Sequence, residues 1–208
     1  MKNIAVLVSG GGTNLQALID AQSRGEIIGG RITCVISSNP SAYALERAKN
    51  NNITTYIIKR KDYEQFEEYD IALTELLQSN NIDLVVLAGF MTILGSKVIN
   101  AFENKIINIH PSLIPSFCGE GYYGLRVHQE ALKKGVKVTG ATAHFVNEIC
   151  DAGPIIIQKA VEILQDDTPE VLQKRVMEQA EWNILPKAVS LFCQDKIKVK
   201  DNKTIILD

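Results

Sequence analysis

Short runs rich in valine and isoleucine recur along the chain at Ile4 to Val8, Ile32 to Ile36, Thr54 to Ile58, Leu84 to Leu87 and Ile106 to Ile109. Between them lie longer amphipathic stretches, Leu15 to Gln22, Ala42 to Asn50 and Tyr63 to Gln78, the last with Ile71, Leu73, Leu76 and Leu77 at helical spacing. Strand-like runs alternating with helix-like stretches are the signature of βαβ units and a parallel sheet. Past Ile109 the texture changes to a loop full of proline and glycine, a short helix near Val127 to Lys134 and two β-rich runs, Thr139 to Val146 and Ile155 to Ile163. Asp167-Thr168-Pro169-Glu170 then signals a helix start, and a long helix is expected from Glu170 to about Phe192. The pattern predicts an α/β fold: a Rossmann-like, doubly wound, mostly parallel sheet with helices on both faces and a more mixed, β-rich C-terminal part. One continuous domain over residues 1–208 is expected.

Composition narrows the class. The chain has 208 residues, 46% of them hydrophobic and 22% charged, with a net charge of -2, which is globular usage and excludes overall disorder. Lysines and arginines are scattered without a basic run, so nucleic acid is not an expected partner. No stretch reaches 18 apolar residues and the first apolar run is too short for a signal peptide, so no membrane partner and a cytoplasmic location are expected. The four cysteines, Cys34, Cys118, Cys150 and Cys193, form no Cys-x-x-Cys pair and suggest neither a zinc site nor a disulfide scaffold.

Chemistry enters at two strand ends. Ser9-Gly10-Gly11-Gly12-Thr13-Asn14 joins the first strand to the first helix, where free backbone N–H groups and the helix dipole attract a phosphate. A dinucleotide fingerprint fails, because Leu15 stands where glycine is needed and Ser37-Ser38-Asn39 ends the second strand without an acid. A Walker A loop fails for want of Gly-Lys-Ser/Thr. A monophosphate fits the loop; a plain cap from Thr13 or Asn14 is the structural alternative. All three histidines, His110, His128 and His144, fall in one part of the chain. Asn108 and His110 stand two apart at the carboxyl end of the fifth strand, so both face the same side of the crevice and offer two donors to an oxygen gaining charge.

Asn-x-His-Pro-Ser-Leu-x-Pro at 108–115, with Leu87-Ala88-Gly89-Phe90-Met91-Thr92-Ile93-Leu94 before it and His144-Phe145-Val146-Asn147-Glu148-Ile149-Cys150-Asp151-Ala152-Gly153-Pro154 after it, resembles the 10-formyltetrahydrofolate-dependent formyltransferase family. The similarity runs from residue 2 to about residue 192. The Gly-Gly-Gly-Thr-Asn-Leu loop narrows it to the branch that formylates the primary amine of glycinamide ribonucleotide in purine synthesis. The resemblance implies that Gly12, Thr13 and Asn14 hold the substrate's phosphate and Glu181 its ribose hydroxyls. It implies that Met91, Thr92, Ile93 and Leu94, with Asn147, Glu148 and Asp151 opposite and Asn108 beside them, hold the reduced folate, and that Asn108, His110 and Asp151 are the catalytic trio. Its co-substrate is 10-formyltetrahydrofolate, no metal is called for, and a monomer or homodimer is expected. In this scheme Asp151 raises the pKa of His110 above about 6.5, so that a cationic imidazole steadies the oxyanion.

The chain departs from the family pattern in three places: Thr92 and Phe66 replace basic residues, Cys118 to Gly124 is differently composed, and the last helix carries one extra residue before Glu181. Residue by residue, other roles stand beside these. Asp151 before Ala152-Gly153-Pro154 also fits a turn, Glu181 a solvated helix face, His144 the core, His128 a solvated or structural position, and Trp182 a core or interface anchor. Two other activities remain as alternatives: a formyltetrahydrofolate hydrolase of the same family, expected to carry an N-terminal regulatory domain where this sequence opens on its first strand, and a non-catalytic phosphate-binding module.

Overall fold

The structure, a computed structural model, describes residues 1–207. Its main sheet has seven strands in the order β3-β2-β1-β4-β5-β6-β7: β1 (Lys2–Val8), β2 (Gly30–Ser37), β3 (Thr54–Ile57), β4 (Leu84–Leu87), β5 (Ile106–His110), β6 (Val138–Phe145) and β7 (Ile155–Glu162). The first five run parallel, and β6 and β7 are antiparallel to their neighbours, which is the mixed C-terminal part that the sequence predicts. The order reverses between β1 and β4, so a crevice opens there at the carboxyl ends of the strands.

Continuous apolar runs make sense because both faces of the sheet are covered. In β1, Ile4, Val6 and Val8 join a core with α1 (Thr13–Ser23), α2 (Tyr43–Asn50), α6 (Pro169–Val176) and α7 (Trp182–Cys193), while Ala5 and Leu7 turn to the other face and meet α3 (Phe66–Ser79) and α4 (Ser96–Ala101). The short helix α5 (Leu125–Lys134) precedes β6.

Four boundaries differ from expectation. The third helix starts at Phe66 rather than Tyr63, because Gln65 and Glu68 form a capping box and residues 60–62 take a separate 3-10 turn. Helix α4 was not predicted; its first turn is held by Asp70, whose buried carboxylate accepts from the N–H groups of Gly95, Lys97 and Val98. The expected helix from Glu170 to Phe192 is interrupted by a π turn over Met177–Glu181. Each hydrogen bond of such a turn spans one residue more than in an α-helix, so the turn has room for one residue beyond α-helical spacing. A hairpin of β8 (Ile197–Lys200) and β9 (Lys203–Ile206), also unforeseen, reaches the main fold through Thr204 Oγ1, which donates to the Ile155 carbonyl at 2.6 Å.

Candidate active site

Adjacent strand ends carry the candidate residues. The glycine loop follows β1, the strip from Met91 follows β4, and Asn108 and His110 end β5. The first two are joined directly: the Met91 N–H donates to Ser9 Oγ at 2.9 Å.

In the glycine loop the Gly10 carbonyl accepts from the Ala44 N–H and the Gly11 carbonyl from Arg47 Nε, so α2 anchors the loop through its acceptors. Neither Thr13 nor Asn14 caps the helix by side chain; the N-cap is Gly12, at φ +72°. A Cβ there would lie 2.6 Å from the Ala44 Cβ, so the position requires glycine for packing as well as for conformation. Asn14 turns inward, and its Nδ2 donates to Glu181 Oε2 at 2.6 Å. Both side chains are buried, which corrects the solvated-face alternative for Glu181. Burial pushes the Glu181 carboxyl up to about 7 against the opposing Asn14 hydrogen bond. Thr13 stays exposed beside Met177.

Four side chains converge at the end of β5. The antiparallel register sets His144 opposite Asn108, and the Asn108 Nδ2 donates to His144 Nε2 at 3.2 Å. His144 Nδ1–H is taken by the Phe145 carbonyl at 2.8 Å, which leaves Nε2 as the acceptor that orients the amide. Asp151, at φ +55° in the turn between β6 and β7, brings Oδ2 to 3.5 Å from His110 Nδ1 and Oδ1 to 3.7 Å from His144 Nε2, while the Gly119 N–H donates to Oδ2 at 2.9 Å. His110 Nε2–H donates to the Phe117 carbonyl at 2.9 Å.

The electrostatics correct one expectation. Burial lowers the His110 pKa below the ordinary value, and Asp151 and the Phe117 carbonyl oppose that without reversing it, so the resting imidazole is neutral and carries its proton on Nε2. Asp151 goes the other way. Burial alone would raise it, but the polar groups around it, among them the Gly119 N–H that donates to Oδ2, hold its carboxyl below the usual range, and it is ionised.

The remaining candidates divide. Met91 and Ile93 are exposed apolar side chains beside the site, whereas Leu94 is buried in the core and can offer only backbone; Thr92 lies against the buried Tyr69 hydroxyl. Asn147 closes its own loop by accepting from the Ile149 N–H, and Glu148 is exposed without a contact to the cluster. His128 is fully buried, not solvated; neither ring nitrogen has a partner, and burial pushes its pKa down to about 4. Trp182 is half-buried, lining a small cavity of about 150 Å³ with Thr13 and Arg47. His144 is the site residue that sequence reasoning placed in the core. Its apolar neighbours hid it, and only the β5–β6 register reveals it. Among the described residues no group of three or more His, Cys, Asp or Glu is placed to hold a metal ion, and no helix is long and apolar enough to cross a membrane.

A doubly wound sheet whose crevice sets a glycine loop beside an Asn-His-His-Asp cluster defines a group-transfer enzyme, and the chain belongs to the formyl transferase family, whose pattern matches residues 2–189. It is 44% identical over 202 residues to the Haemophilus influenzae protein named phosphoribosylglycinamide formyltransferase, covering 97% of this chain and 92% of that one. The crystal structure of glycinamide ribonucleotide transformylase 1 from Symbiobacterium toebii superposes with a TM-score of 0.94 at 42% identity, over 100% of this chain and 95% of that one. Some relatives are far longer: the chain is 42% identical over 202 residues to the Homo sapiens trifunctional purine biosynthetic protein adenosine-3, covering 97% of this chain and 19% of that protein. A formyltetrahydrofolate deformylase from Pseudomonas syringae shares the fold at a TM-score of 0.88 and 29% identity, over 100% of this chain and 66% of that one.

Proposed function

We propose that this formyl-transferring enzyme moves the formyl group of 10-formyltetrahydrofolate to the primary amine of glycinamide ribonucleotide, giving formylglycinamide ribonucleotide and tetrahydrofolate in the cytoplasm. Residues 1–208 are read as one formyl transfer domain, acting as a monomer or homodimer. The observation that carries the reading is the convergence of Asn108, His110, His144 and Asp151 on one point of the crevice.

When bound, the folate supplies the activated formyl carbon. Exposed Met91 and Ile93, with the backbone of 91–94, suit its planar ring. The free amides at the start of α1 suit a phosphate, and Asn14 and Glu181 suit neighbouring hydroxyls. Attack by the amine leaves an oxyanion and an ammonium. Asn108, with one amide hydrogen on His144, turns the other to the oxyanion. His110 Nε2–H is the second donor once the Phe117 carbonyl gives way. Asp151, ionised, draws the ammonium proton, which passes on to the departing folate nitrogen.

The test mixes purified protein, 10-formyltetrahydrofolate and glycinamide ribonucleotide and follows the folate product. Product that forms only with the ribonucleotide supports transfer. Equal rates without it assign the deformylase reaction, which the shared fold leaves open. No turnover leaves the non-catalytic phosphate-binding module.

A further inference from the structure

Two of the four cysteines lie outside the proposed chemistry yet beside it. Cys118 is half-buried and Cys150 exposed, and both line one cavity of about 510 Å³ together with Asp151, under the tip of the β8–β9 hairpin. Each immediately precedes a partner in one hydrogen bond, that from the Gly119 N–H to Asp151 Oδ2 at 2.9 Å. The Cys118 thiol donates to the Pro115 carbonyl at 3.3 Å, so the loop must turn it toward Cys150 before a disulfide, with Cα positions about 4.4–6.8 Å apart, can close. Gly119 and Gly121, at φ +89° and +82°, give the Cys118 loop room to adjust, and a Cβ at Gly119 would meet nothing within 4 Å.

We propose that Cys118 and Cys150 are a reversible redox pair, and that their disulfide fastens the 115–119 loop across the active site. The loop already lies there: Phe117 occupies His110 Nε2–H and Gly119 occupies Asp151 Oδ2. Oxidation makes that occupancy permanent. The oxidant is a low-molecular-weight disulfide. The exposed Cys150 thiolate attacks one of its sulfurs and expels one thiol; Cys118, as thiolate, then attacks Cys150 in the mixed disulfide and expels the second. Both cysteines are oxidised, the reagent is reduced to two thiols, and the two cysteine protons go to the departing thiolates. Burial first, and then the Asp151 carboxylate, push both thiols above their ordinary values, so the pair is slow near neutral pH and faster in alkali. Cys34 and Cys193, buried and pushed to about 11, are internal controls.

The loss of activity rests on the proposed formyl transfer; the cross-link does not. The full chain is incubated with oxidised glutathione at pH 8.5, digested without reduction and mapped by mass spectrometry, and transfer is assayed before and after dithiothreitol. The expected result is a Cys118–Cys150 peptide pair and, at nine-tenths conversion, a roughly tenfold fall in rate that dithiothreitol reverses. Cys118→Ser keeps its activity when reduced and stops at a glutathione adduct on Cys150. The proposal is overturned if the wild-type chain carries glutathione on Cys150 without closing to Cys118, or if Cys118→Ser loses activity under oxidation to the same extent as the wild type. Mapping the wild-type chain decides the cross-link even if the variant does not fold.

Discussion

Glu181 gives a measurement of burial that needs no substrate. Its carboxyl is buried, held by Asn14 alone, and titrates at about 7 against an ordinary 4.5. Below pH 4.5 the group is protonated whether the chain is folded or not, and folding costs nothing extra. As pH rises from 4.5 through 7 the unfolded chain loses the proton first, so stability falls across that window and stays reduced above it. The separation converts to about 3 kcal/mol at about 1.36 kcal/mol per unit of pH. Glu181→Gln keeps the shape and the acceptor for Asn14 and removes the ionisation. In urea unfolding at constant slope, the variant should match the wild type at pH 4.5 and exceed it by about 3 kcal/mol at pH 8.5. The same variant should bind ribonucleotide more weakly, so that stability and function move in opposite directions. A gain that is equal at both pH values would refute the reasoning, because it would mean that Glu181 titrates alike in the folded and unfolded chain and that burial does not govern it.

Further outcomes follow from the cluster and its surroundings. Asn108→Ala should lower kcat roughly 10²- to 10³-fold with KM little changed, and His110→Ala roughly 10²- to 10⁴-fold, both by steady-state kinetics. His144→Ala should cost roughly 10²-fold in kcat by releasing the Asn108 amide, with partial rescue in His144→Gln; a loss of thermal stability with normal kcat would return His144 to a core role. Gly12→Ala should lower stability by about 1–3 kcal/mol in thermal unfolding, because φ is +72° and Ala44 occupies the Cβ space. NMR titration should find His128 unprotonated at pH 5. Between 6.5 and 4 the unfolded chain takes up the proton first, so stability falls with acid there, and His128→Phe should flatten that slope.

The parallel part of the fold was legible because covered strands must be apolar throughout, as Ile4 to Val8 are, and because Asn108 and His110 share a strand end. What stayed hidden depended on partners distant in sequence. Helix α4 is short, and its capping carboxylate, Asp70, comes from another helix. The π turn at Met177–Glu181 leaves no mark in a periodicity read over twenty residues. His144 reaches the site through a strand register, and the balance between burial and Asp151 that lowers the His110 pKa is a property of assembled volume, invisible in the spacing of the two residues. The glycine loop carries a ligand signal in its sequence, whereas the packing of its last glycine, Gly12, against Ala44 depends on a helix thirty residues away.

The π turn also acts as a phase correction. Each residue of an α-helix advances the side chains by about 100° around the axis, so inserting one residue into α6 and α7 would turn one half away from the core that the other half faces. Widening a single turn instead lets Leu172 and Val176 on one side, and Leu185 and Val189 on the other, remain in the same core while Glu181 keeps its aim at Asn14. Deleting one residue between 177 and 180 should therefore be tolerated better than the same deletion in the middle of α7, where nothing stands ready to take up the rotation.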